Sequence, residues 1–255
     1  MTTRTHASVT VAVTNTRLSG TKRGLAFELA LQVARASVRP VCLLGADPTD
    51  RDVERRLVAL PATDVQDPWV ARDGEARVAH VPAGGLYVVT ANDRGRLRAL
   101  LPALQESFSF VVVDAPSRVG SGVGIARALV PEIDLLLVAV GATAGEIAEA
   151  RAYLRAIKPV LAAHDVDARA VVSGTWTGSG LGPDQIARRL DTIPVVAQVP
   201  RLWGRAATSH TSRAALALAF GPIVDLVAGI AGTAPAHTGD AWSRAEALAG
   251  RLGRS

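Results

Sequence analysis

Val9-Thr10-Val11-Ala12-Val13, then Thr14-Asn15-Thr16-Arg17-Leu18-Ser19-Gly20-Thr21-Lys22-Arg23-Gly24, then a run from Leu25 that leads to Val41-Cys42-Leu43-Leu44-Gly45-Ala46-Asp47: this stretch decides the fold. The first five residues are an apolar, β-branched strand. The second block is polar and carries a lysine. After it, Leu25, Ala26, Leu29, Ala30, Val33 and Ala34 recur at the spacing of one buried helical face. The second apolar strand ends in Gly45-Ala46-Asp47-Pro48. Strand, lysine-bearing loop, helix and strand in that order form a unit suited to holding phosphate.

Outward from this unit the pattern repeats. Strands are predicted near 8–14, 40–45, 77–81, 86–90, 109–114, 134–140, 168–173 and 194–199. Helices are predicted near 22–36, 49–60, 93–107, 122–130, 143–160, 183–191, 205–220 and 222–231. Strands alternating with helices imply an α/β fold, a three-layer doubly wound, mostly parallel sheet, with ligands at the carboxyl ends of its strands. Lys22, Asp47 and Asp114 all follow such ends. With 255 residues, 49% apolar and only 4% aromatic, the chain is long enough for one large core of Val, Leu and Ala.

The ordered set of segments resembles the ParA/MinD family, the deviant-Walker P-loop ATPases that position DNA, division sites, pili and flagella. That family opens with a strand, an Asn or Ser, and K-G-G-x-G-K-[ST]-[ST]; its next strand runs into D-x-D-P. Here Asn15 matches the family's Asn, Arg17 its first lysine, Lys22 the phosphate-binding lysine and Arg23 the hydroxyl residue that holds magnesium. Gly20, Thr21 and Gly24 complete the loop. Phe110-Val111-Val112-Val113-Asp114-Ala115-Pro116 is similar to the Walker B strand, and Asp134 to Val140 to the core strand that follows it. Ile193 to Pro200 is similar to the late strand leading to the base-binding loop, so the resemblance puts Pro200 at the nucleotide. It spans residues 8 to 230.

The departures fall on the chemistry. A phosphate loop uses glycine so that amides can approach the ligand without a Cβ in the way, yet Leu18, Ser19 and Thr21 stand where the family has glycine. Arg23 offers magnesium no hydroxyl. Gly45 replaces the first aspartate of D-x-D-P, leaving Asp47. Where the family reads adenine with Asn, this chain has Ser173 or Thr175. Lys22 remains. Of 28 basic residues only Lys22 and Lys158 are lysine, so a lysine at the phosphate position stands out against an arginine background.

The resemblance therefore implies a spatial-organisation factor with a degenerate nucleotide site, a pseudo-ATPase scaffold holding ATP or ADP weakly or not at all. Two other readings stand beside it. One is an active ATPase of the chromosome-partitioning type, with Asp47 positioning water and Asp114 assisting Mg. The other is an interaction module that never meets nucleotide. The family dimerises across nucleotide, so a homodimer, or a heterodimer with a related ATPase, is expected. Nonspecific DNA is a further expected partner, because the formal charge is +5. The plainer account of the scattered cations is a solvated, arginine-rich surface, since no basic stripe with interleaved aromatics is present.

The remaining features bound the reading. Cys42 is the one cysteine and reads as a small buried hydrophobe. The five histidines have no metal-ligand spacing. Met1 to Ser8 is polar and shows no leader, so a cytoplasmic protein is expected; peripheral membrane or nucleoid association is the alternative. Ala214 to Ala231 approaches membrane length, but Gly221-Pro222 and Asp225 interrupt it, which predicts two packed core helices. The domain is expected to occupy 1–231. Residues 232–255 read as a flexible connector and a short amphipathic helix, whose Trp242, Leu248 and Leu252 suit weak membrane or partner contact; the plainer alternatives are docking on the chain's own domain or a disordered tail.

Overall fold

The computed structural model of the chain describes residues 8–15, 24–46, 53, 56–57, 66–70, 76–81, 85–91, 94–115, 129–174, 181, 183–190, 193–200 and 210–232. Its strands are β1 (Val9–Asn15), β2 (Val41–Gly45), β3 (Gln66–Val70), β4 (Ala76–Val81), β5 (Leu86–Ala91), β6 (Phe110–Asp114), β7 (Leu135–Gly141), β8 (Asp167–Gly174) and β9 (Val195–Pro200). The α-helices are α1 (Leu25–Ala36), α2 (Arg94–Ser107), α3 (Ala144–Ala163), α4 (Pro183–Leu190) and α5 (His210–Gly232).

The strands form one sheet in the order β3-β4-β5-β2-β6-β1-β7-β8-β9. Every pairing from β5 to β9 is parallel; β3–β4 and β4–β5 are antiparallel. Parallel strands need crossover helices, which cover both faces and leave the strands apolar throughout. All seven residues of β1 are accordingly buried. Alternation along β1 divides the core. Val9, Val11 and Val13 face the layer built from α1 and α5, and Ala12 faces the layer that includes α2, α3 and α4. The α/β three-layer expectation is met.

Asp134 fastens the start of this arrangement. Its carboxylate accepts from the Thr10 amide at 2.8 Å, and its own amide donates to the Thr10 carbonyl at 2.9 Å. Gln105 Nε2 donates to the Thr10 hydroxyl at 2.9 Å and to the Glu132 carbonyl at 2.7 Å, tying α2 to β1. These bonds satisfy polar groups that would otherwise be costly to bury.

Three details depart from the sequence reading. Strand β3, which carries Asp67 and Pro68, is not among the predicted strands. It lies at the edge of the sheet, where a missing proline N–H removes no central ladder bond. Helix α1 is buried on all sides from Leu25 to Ala34, not on one face, because α5 closes over it. Its polar residues Glu28 and Gln32 meet that burial with a 2.6 Å side-chain hydrogen bond. The two helices predicted at 205–220 and 222–231 are one continuous helix, α5. Pro222 is exposed, and so is Leu218, whose carbonyl the proline leaves without an amide partner; water can take that role. The same solution recurs in α2 and α3, where Pro102 and Pro159 are also exposed.

α5 is long and apolar enough to cross a membrane over Ala214–Gly232. Here Leu216, Phe220, Ile223 and Val227 form a stripe at i, i+4, i+7 and i+11 that packs into the sheet-facing core. Phe220 is fully buried. Phe220→Ala is therefore expected to cost about 3–5 kcal/mol, read as a shift in the urea midpoint, while Leu218→Ala on the exposed face should leave it nearly unchanged.

Candidate functional site

The sheet changes its direction of growth at β1. The chain moves from β1 to β2 on one side, then from β6 to β7 on the other. In doubly wound sheets the crevice at the carboxyl ends near such a reversal receives the ligand. Asn15 ends β1, Gly45 ends β2, Asp114 ends β6, Gly141 ends β7, Gly174 ends β8 and Pro200 ends β9. Register confirms that they share one edge: Asp114 pairs with Val13 and with Gly45, Asn15 with Ala139, Ser173 with Gly141 and Gly174 with Pro200.

The structure brings Asn15 and Asp114 to neighbouring strands, with both side chains buried. The main chain around them is tied across strands. Ala115 N–H donates to the Val13 carbonyl at 3.0 Å, and Ala46 N–H to the Asp114 carbonyl at 3.1 Å. Ser173 is also buried, but β8 is three strands from β6, about 14 Å at the usual strand spacing. Asp114 and Ser173 thus lie at two separate points along one edge of the sheet. Arg17, Gly20, Thr21, Lys22, Arg23, Asp47, Thr175, Trp242, Leu248 and Leu252 lie outside the described residues.

Gly24 closes the loop against α1 with φ of 75°, a left-handed conformation that glycine adopts without strain. It begins the helix: the Glu28 amide donates to its carbonyl at 2.9 Å. A Cβ at Gly24 would fall on the guanidinium of Arg56. That close approach is the feature the sequence reading missed. Arg55-Arg56 was visible only as a basic pair, with no spacing that tied it to the loop. The positive end of a helix dipole and a guanidinium meet here, a combination that favours an anion.

Asp114 is the only carboxylate that ends a strand among the described residues, and no group of three or more His, Cys, Asp or Glu there could hold a metal. Magnesium takes oxygen ligands, whereas sequence position 23 supplies a cationic arginine in place of a hydroxyl. Asp114 is thus the one carboxylate at the described strand ends that could assist magnesium, and Arg23 lies outside the described residues.

Tyr153 of α3 braces the same edge from below through a side-chain hydrogen bond with Thr14, the residue before Asn15. Burial pushes its phenol up to about 12, and the Thr14 bond acts in the opposite direction. The folded chain therefore keeps the phenol neutral where the unfolded chain, at the ordinary value of 10.0, ionises. The resulting stabilisation is present below pH 10 and is lost as pH rises to about 12. Urea unfolding across that window should show falling stability in the wild type and a flatter profile in Tyr153→Phe. Cys42, by contrast, is wholly enclosed; burial pushes its thiol well up, and it takes no part in the site.

No protein-family model matches the sequence, and no curated protein sequence matches it. Solved structures do. The septum site-determining protein MinD of Pyrococcus horikoshii OT3, complexed with Mg-ADP, superposes with a TM-score of 0.61 at 13% identity, over 88% of this chain and 98% of that one. A chain of the MinC:MinD cell division protein complex of Aquifex aeolicus gives 0.62 at 17%, over 91% and 99%. A ParA family ATPase of Chlorobium tepidum TLS gives 0.58 at 12%, over 88% and 98%. The chain has the fold of the MinD and ParA P-loop ATPases.

Proposed function

We propose that this chain is a ParA/MinD-like spatial-organisation factor with a degenerate nucleotide site, a pseudo-ATPase scaffold that holds a phosphate-bearing ligand without a metal. The observation that carries the reading is the Arg56 guanidinium over Gly24, at the N-terminus of the helix that follows Lys22 and Arg23. Lys22 and Arg23 directly precede that helix in sequence, so the start of α1 is rich in positive charge. In this reading Lys22, Arg17, the loop from Gly20 to Gly24 and Arg56 hold phosphate, with Asn15 beside them. Ser173 or Thr175, together with Pro200, receive the base about 14–19 Å along the edge, three to four strand spacings from β6. The wild type should bind ATP, ADP or phosphate in calorimetry without magnesium. Lys22→Ala and Arg56→Ala should each weaken binding by about ten- to a hundredfold, the scale of one charge-assisted hydrogen bond. Phosphate release should stay at background. Binding that strictly requires magnesium, or turnover lost in Asp47→Ala and Lys22→Ala, would replace this reading with the active ATPase. Buried Asn15 and Asp114 at family-like positions are the features that favour that alternative.

By analogy with the MinC:MinD assembly, the scaffold acts through protein contacts, as a homodimer or paired with a related ATPase. Its proposed setting is the cytoplasm, with nonspecific DNA and the membrane surface as further contacts. The tail supplies the membrane contact in this proposal, through Trp242, Leu248 and Leu252. One tryptophan and two leucines contribute only about 5–7 kcal/mol before ordering costs, so attachment is weak and reversible. Anionic vesicles should sediment the full chain more than one ending at Gly239; equal sedimentation would remove the membrane role.

A further inference from the structure

Helix α5 is apolar on nearly every side. Leu216, Phe220, Ile223 and Val227 belong to the core. Around the opposite side run Ala214, Leu218, Pro222, Asp225, Ala228 and Gly229, all exposed, with Asp225 the one polar side chain among them. Leu218 is 82% exposed. A helix at a protein surface normally turns a polar face to water, and one that is apolar all round is covered all round. The outer face of α5 is also low and open: a Cβ at Gly221, Gly229 or Gly232 would meet nothing within 4 Å. A continuous apolar face of this kind marks a contact site. The chain runs directly from α5 into residues 233–255, which lie outside the described residues.

We propose that residues 241–252 of the same chain fold back along α5 as an antiparallel helix and cover this face. Residues 233–240 give a connection of about eight residues, within the range that joins neighbouring antiparallel helices. As a helix, 241–252 rises about 18 Å, and α5 from Gly232 back to Leu218 measures about 21 Å. In that register Trp242 comes beside Gly229 and Leu248 beside Gly221 and Pro222, so bulky side chains meet low ones. Leu252, in the last turn, reaches only the edge of Leu218, where helix ends fray and a contact weighs little. Asp225 stands in the middle of the stripe. Arg244 and Arg251 flank the Trp242–Leu248–Leu252 face on one side, each about one turn from Asp225. A second copy on the same stripe fits less well, because Asp225 lies midway between Leu218 and Gly232 and a twofold axis there sets it against its own counterpart. Anionic lipid meets the same carboxylate on α5. The inference rests on the segment given a membrane contact above, and adds where that segment lies when no lipid is present.

The test is amide hydrogen exchange of the full chain in lipid-free buffer. Amides of residues 242–252 should exchange at least about tenfold more slowly than in a free peptide of the same sequence. Gly221→Gln with Gly229→Gln puts bulk on the stripe where the body leaves room and where helix propensity improves. The fold should persist, checked by thermal unfolding, while the protection of 242–252 is lost. Asp225→Arg, at an exposed position, should lower the protection as well. Absence of protection in wild type overturns the proposal. So does protection that survives both variants, since the segment then lies elsewhere on the body. Protection that rises with protein concentration assigns the face to a second copy and overturns it too. Vesicle sedimentation reads the membrane contact separately: equal sedimentation of the full chain and one ending at Gly239, with the protection intact, removes the membrane role and supports docking on α5.

Discussion

Parallel pairing of β1 between β6 and β7 is the constraint on which the rest depends. Neither edge nor face of β1 meets water, so each neighbour must run in the same direction and each connection must return across the sheet. The carboxyl ends therefore gather along one edge, although Asn15, Asp114 and Ser173 are far apart in sequence. The site is a consequence of this direction rule before any side chain is chosen. Asp134 and Gln105, through Thr10, fix where β1 starts, and so where Asn15 ends.

Much of this was legible from residues alone, for a physical reason. Strands buried on both faces must be apolar along their length, so Val9 to Val13, Val41 to Leu44, Phe110 to Val113 and Leu135 to Val140 announce themselves. Their order announces the winding. The signals that failed were local preferences overruled by position. Pro222 argued against a continuous helix, and that objection, a missing hydrogen bond, lapses where water can serve the carbonyl. Strand β3, with Pro68 in it, was not predicted at all; at the edge of the sheet no central ladder bond is at stake. Burial of Glu28 and Gln32 was invisible because it depends on α5, which arrives from the far end of the chain.

The geometry of the candidate site was legible in part. Asn15, Asp114 and Ser173 could be located because strand ends can be located. Arg56 could not, because its approach to Gly24 comes through packing between segments with no shared periodicity.

The outward prolines of α2, α3 and α5 bear on the shape of the whole shell. A twisted sheet presents a saddle to the helices that cover it, and a straight rod touches a saddle over only part of its length. A proline on the solvent side interrupts the hydrogen-bond ladder there and spares the inner one, so a helix bends with its convex side to water. Pro102, Pro159 and Pro222 are placed to favour such a bend at exposed positions. Residues that a propensity scale counts as defects here act as tailoring, letting stiff covers follow a curved surface.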